Sequence, residues 1–123
     1  MLRKIDCVMV RVDDLETASQ FYGSMLGLRP LWRDDGSVGM GLPETDAEVV
    51  LHTMDLPREW GVHYLVDDVA AAVSAWREGG CVVRKPPFEI AVGWCAVLED
   101  PFGNPVCVLD LSKGTRATLP SVR

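Results

Sequence analysis

A chain of 123 residues is one domain's worth and too short for two independent ones. Its 48% hydrophobic and 24% charged residues make a globular mixture, which excludes a disordered chain, and no run approaches the roughly 18 apolar residues of a membrane span. Twelve basic against eighteen acidic residues leave −6 at neutral pH with the basic groups scattered, which points away from nucleic acid and membrane as partners; the acidic balance tolerates a neutral or cationic small molecule and suits plain solubility equally well.

The first apolar run, IDCVMVRV, reads as a strand. It is too short, and too interrupted by Asp6, Arg11, Asp13 and Asp14, to be a secretory signal. A helix follows over LETASQFYGSMLG, with Leu15, Ala18, Phe21, Tyr22 and Met25 at helical spacing, an acid at 13 or 14 to cap it and Gly27 to end it. Three strand candidates come next, at 30–34, 37–42 and 47–53, with Asp34-Asp35-Gly36 as turn chemistry. Residues 54–60 (MDLPREW) form a linker.

The pattern then restarts. VMVRVDDLETA at 8–18 and VHYLVDDVAAA at 62–72 share V-D-D-[LV]-x-x-A at a constant offset of 54. The second strand, WGVHYLV, leads to a helix with Val69, Ala72, Val73 and Trp76 on its apolar stripe and Gly79-Gly80 at its end. Strand candidates at 81–85, 90–99 and 104–110 complete the copy, with Asp100-Pro101-Phe102-Gly103-Asn104 as a turn, and 112–123 reads as a loose polar tail. One domain over 1–123 is therefore expected, with repeat one at about 3–53 and repeat two at about 61–111. Parallel doubly wound sheets need a helix between every pair of strands. Two β-α-β-β-β modules instead predict an α+β fold of curved, mostly antiparallel sheets around a shared cleft, the usual place for a small ligand. The four cysteines, Cys7, Cys81, Cys95 and Cys107, make no C-x-x-C and sit in apolar runs, so they are expected as reduced, packed thiols of a cytoplasmic protein.

V-D-D-L-E-x-A-x-x-F-Y at 12–22, V-D-D-V-x-A-A at 66–72 and D-P-F-G-N at 100–104 resemble the vicinal oxygen chelate superfamily, which includes glyoxalase I, bleomycin and fosfomycin resistance proteins and extradiol dioxygenases. The resemblance covers about 3–111 and implies fold more than function, since this fold hosts lyases, isomerases, dioxygenases and pure binders. Metal-dependent members hold a divalent ion with His, Gln or Glu at four strand positions. Carried over, those positions are Cys7, about Val50, Gly61 and Cys107, none of them a usual ligand. His52 and His63 lie two residues beyond Val50 and Gly61, on the same strand faces. They are open to three readings: cleft-lining hydrogen-bonding groups, displaced metal ligands (with Glu48, or with Cys7 and Cys107 as soft donors), or ordinary strand residues. Trp32, Trp60 and Trp94, with Met9, are candidate apolar walls, and Trp76 is expected in the core.

The resemblance leaves enzyme and binder open. The expectation is a metal-independent protein of the glyoxalase, bleomycin resistance and dioxygenase group, without cofactor, binding a small organic molecule through Cys7, Met9, Trp32, Val50, His52, Trp60, His63, Trp94 and Cys107. The alternative is a lyase, isomerase or dioxygenase using one divalent metal on non-standard ligands, with Glu48 or Glu99 as base. Members of the superfamily commonly pair, so a homodimer is expected.

Overall fold

The computed structural model describes residues 1–115; most of the polar tail, 116–123, lies outside the described residues. The elements run β1 (Lys4–Arg11), α1 (Leu15–Ser24), β2 (Arg29–Arg33), β3 (Ser37–Leu42), β4 (Thr45–His52), β5 (Val62–Leu65), α2 (Val69–Glu78), β6 (Val82–Ile90), β7 (Gly93–Glu99) and β8 (Pro105–Leu109). This is β-α-β-β-β twice, as the repeat predicts. The described residues form two compact units, Asp6–Arg58 and 59–115, the latter joined by Met1–Ile5.

In the first unit the strands run β2-β3-β4-β1, and in the second β5-β8-β7-β6. Each module thus has the same plan. Its first strand pairs parallel with its last (β1 with β4, β5 with β8), while the remaining neighbours are antiparallel hairpins. The parallel pair is possible because the helix lies on the path between its strands.

The V-D-D turn starts both helices in one way. The second acid of each copy is the N-cap: Asp14 accepts from the Thr17 N–H at 2.9 Å, and Asp68 from the Ala71 N–H at 3.0 Å. Hydrogen bonding to the Thr17 N–H holds the Asp14 carboxyl below the usual carboxylate range. Gly27 and Gly80 follow the helices with φ of 77° and 108°, a conformation that costs a residue with a Cβ.

Each helix covers one face of its own sheet. In the first unit the core is Val38, Met40 and Leu51, packed by Val10, Val49, Leu15, Ala18 and Tyr22. In the second it is Val66, Val69, Ala72, Val73, Ala96, Leu98 and Val108, with Trp76 partly buried against it. The expected stripe of α1 is corrected at two positions. Phe21 and Met25 sit on the helix flank and are exposed, because Leu15, Ala18 and Tyr22 already span the contact with the sheet.

One strand boundary also differs from the pattern. β6 runs through Pro86 and Pro87 instead of ending at Lys85, taking up the missing donors in register shifts between Val83 and Phe88. The first residues of the tail are anchored. The Lys113 N–H donates to the Val92 carbonyl at 2.9 Å, its ammonium pairs with Glu89, and it lies 5.6 Å from the Trp94 ring centroid.

Candidate functional site

Strand alternation gives each sheet a second, helix-free face. In the first unit three registered rungs define it. Trp32, Gly39, Val50 and Met9 form one; Gly41, Glu48 and Cys7 the next; Ser37, His52 and Arg11 the third. Cys7, Trp32, Val50, His52 and Ser37 are buried, while Met9 and Glu48 are half-buried. The Trp32 indole crosses Gly39, where a Cβ would overlap its Nε1, Cε2 and Cδ1 atoms, and its Nε1–H donates to Glu48 Oε1 at 2.7 Å. Arg11 is turned to the linker, donating to the Leu56 carbonyl at 3.3 Å and pairing with Asp55 at 3.0 Å.

In the second unit the corresponding face carries His63 beside Cys107 and Val97, then Leu65, Leu109 and Cys95. All six are buried. Burial pushes the Cys95 thiol up to about 12, with like-charge repulsion from Cys107 adding to it, and burial alone pushes Cys107 up to about 11. Both are therefore thiols near neutral pH and poor nucleophiles. In native protein at pH 7.5 they are expected to resist maleimide for hours and to react at once in denaturant; mass spectrometry of the labelled peptides checks this. Rapid native labelling of Cys107 would place it at an open surface.

The two histidines are held in opposite tautomers. His52 Nδ1 accepts the Met54 N–H at 3.1 Å, so in the neutral ring the proton sits on Nε2. His63 Nδ1 lies 3.0 Å from the Gly61 carbonyl, an acceptor only, so there Nδ1 carries the proton and Nε2 the lone pair.

Of the expected site residues, Cys7, Met9, Trp32, Val50 and His52 thus share one face of the first unit, and His63 and Cys107 one face of the second. Trp60 is half-buried in the segment before β5. Trp94 is a correction. It has the parity of Ala96 and Leu98 and stands on the helix side of its sheet, 40% exposed, away from the face of Cys95 and Cys107.

Trp94 borders a concavity of about 380 Å³ beside Asp67, Asp68 and Asp110 at the start of α2. Its carboxylates are already engaged by the chain. Asp67 pairs with Arg3 at 3.1 Å and Asp68 caps α2. Asp110 Oδ2 accepts the Val69 N–H at 2.9 Å, while Oδ1 accepts the Trp94 N–H at 3.0 Å, the Ser112 N–H at 3.2 Å and the Ser112 hydroxyl at 2.8 Å. This is structural wiring.

The donor chemistry does not fit a divalent ion at the four family positions. Val50 and Gly61 supply no side-chain donor, Cys107 is a buried thiol, and among the described residues no group of three or more His, Cys, Asp or Glu is arranged to hold a metal. Of the two candidate bases, Glu99 is held by Arg84 through contacts of 3.0 and 2.7 Å, and Glu48 accepts the Trp32 N–H.

Residues 4–108 match the family model of the Glyoxalase/Bleomycin resistance protein/Dioxygenase superfamily. No curated protein matches the sequence. Solved structures share the fold at low identity. A Streptomyces coelicolor methylmalonyl-CoA epimerase variant in complex with 2-nitronate-propionyl-CoA is 18% identical with a TM-score of 0.70, covering 91% of this chain and 99% of its own. The methylmalonyl-CoA epimerase from Mycobacterium tuberculosis is 16% identical with a TM-score of 0.72, covering 90% and 89%. A Legionella pneumophila structure described as an NAD-dependent benzaldehyde dehydrogenase is 18% identical with a TM-score of 0.68, covering 86% and 98%. No helix among the described residues is long and apolar enough to cross a membrane.

Proposed function

Because the chain belongs to the Glyoxalase/Bleomycin resistance protein/Dioxygenase superfamily, we propose that it uses this fold to bind a small, largely apolar organic molecule on the helix-free faces of its sheets, without a divalent ion. One reading of the residues carries it: the family's metal positions, carried over from the resemblance, fall on Cys7, about Val50, Gly61 and Cys107, a set rich in apolar and thiol surface and poor in hard donors. Apolar walls with a few fixed polar groups are what a small-molecule site needs. In the first unit Trp32, Met9 and Val50 supply wall and His52 a polar group, and the face of the second unit carries His63. The epimerase relatives include a complex with a CoA ester, a polyanion; a chain of net charge −6 is better matched to a neutral or cationic ligand. Four free cysteines fit a reducing, cytoplasmic setting.

A thermal-shift screen of aromatic and aliphatic fragments, run with excess EDTA, tests this. Hits should keep their affinity after chelation. Replacing His52 or His63 by Ala should weaken the best hit by about 1–3 kcal/mol, the cost of a lost buried hydrogen bond. Loss of binding in EDTA, restored by Mn²⁺, Ni²⁺ or Zn²⁺, would replace this reading with a metal-dependent enzyme on displaced ligands.

A further inference from the structure

The concavity at the start of α2, about 380 Å³, is at the lower end of the volumes that small-molecule sites take. It belongs wholly to the second unit and is bordered by Trp94, on the helix side of the sheet. Its apolar walls are Trp94, Pro87 and Ala70, and three carboxylates, Asp67, Asp68 and Asp110, line the rest with Ser112. A helix start ordinarily favours an anion. Here the chain supplies that anion itself, since Asp110 takes the Val69 N–H at 2.9 Å and Asp68 the Ala71 N–H at 3.0 Å. Those donors are neutral, as are the Trp94 and Ser112 groups that also bond Asp110, so they orient the carboxylates without cancelling their charge. Among the described residues Asp67 alone of the three has a cationic partner, Arg3, in a pair with both side chains more than half exposed. The lining therefore keeps an excess of negative charge, which repels a further anion and attracts a cation.

Trp94 makes that attraction selective. An acidic rim alone holds any counter-ion, whereas an indole face prefers a cation that also carries apolar surface. Trp94 is 40% exposed, and the chain shows its ring taking an ammonium, for Lys113 Nζ lies 5.6 Å from the ring centroid while its charge is matched by Glu89. We infer that this cavity is a binding site for a small alkylated ammonium, its methyl groups against Trp94 and Pro87 and its charge toward Asp67 and Asp68. The site goes beyond the binding reading above: it lies on other residues and takes a cation by charge and aromatic contact.

Three probes of matched shape test it: choline, dimethylbutanol, in which carbon replaces the charged nitrogen, and dimethylbutyrate, which carries the opposite charge. Each is titrated into the full-length ¹⁵N-labelled protein and followed at the Trp94 indole N–H, assigned by its loss in Trp94→Phe, and at the Ala70 amide. Choline should shift both signals saturably and bind at least about tenfold more tightly than dimethylbutanol, the scale of a cation held on an aromatic face beside carboxylates. Dimethylbutyrate should shift neither. Asp67→Asn combined with Asp68→Asn removes two charges but keeps a capping side chain at 68, and should bring choline close to dimethylbutanol. Trp94→Leu keeps an apolar wall without the ring and should weaken choline several-fold, read at Ala70, with the remaining amide spectrum showing that the fold is kept. Equal affinity for choline and dimethylbutanol, a preference that survives the paired Asn replacement, choline binding unchanged in Trp94→Leu, or no saturable choline shift at these two signals each overturns the site.

Discussion

Asp110→Ala is expected to cost about 3–5 kcal/mol in denaturant unfolding at pH 7, among the largest losses any single side chain here can produce. Asp110 is only 3% exposed, yet it is charged, and it is tolerated because the chain closes around it. Burial opposes ionisation, but the N–H groups of Val69, Ser112 and Trp94 and the Ser112 hydroxyl outweigh that and hold the carboxyl below its ordinary range. One carboxylate thereby ties the first turn of α2 to the start of β7 and to the segment after β8. Removing it leaves backbone N–H groups without their acceptor, each costing about 1–3 kcal/mol where water cannot replace it. Gly93 shows how tightly the group is enclosed, since a Cβ there would overlap the Asp110 carbonyl and Oδ1. Asp110→Asn should recover only part of the loss. Both oxygens accept N–H bonds, so the amide NH₂ must face a donor whichever way it turns.

The same network predicts a pH dependence. A carboxyl with a folded-state pKa below its unfolded value stabilises the fold above the unfolded value, and that contribution is lost as pH falls through the folded one. The gap between wild type and Asp110→Asn should therefore stay level from pH 7 to about 5 and shrink below about pH 4. Urea midpoints at pH 7, 5 and 3 measure it. A gap that grows toward acid would mean Asp110 is protonated in the native state.

The sequence shows the architecture clearly because a duplication displays its own alignment. V-D-D twice, each after an apolar run and before a 3.6-periodic segment, marks strand, cap and helix at once, and Asp14 and Asp68 cap as that spacing requires. Strand parity is similarly legible. Val50 and His52 lie on one face of β4 because residues two apart must. What a single strand cannot reveal is its neighbour. Trp94 reads as cleft wall by composition, and only the pairing of Cys95 with Leu109 shows that it faces the helix side. Asp110 has the opposite parity to Cys107, and its partners come from three other places in the chain. Glu48 is visible as an acid on the His52 face, but its link to Trp32 spans two strand pairings and a glycine between them. Pro86-Pro87 reads as a strand end by local rules, yet β6 continues through it by shifting register.

Gly39→Ala should be the most damaging small substitution in the first unit, with a loss of about 3–5 kcal/mol, comparable to deleting a large buried side chain. The added methyl meets three atoms of the Trp32 indole, a rigid group with no flexible end to yield, and Trp32 is only 8% exposed. The indole must leave its place over β3. It then loses its burial and its bond to Glu48. Gly39 itself has no positive φ, so close approach and not backbone strain makes alanine intolerable there. This separates the two causes experimentally. If the clash with Trp32 is the reason, adding Trp32→Leu should relieve part of the Gly39→Ala loss, and the double variant should be more stable than the sum of the single effects predicts. Strictly additive losses would show that the methyl disturbs the backbone of β3 and not the indole.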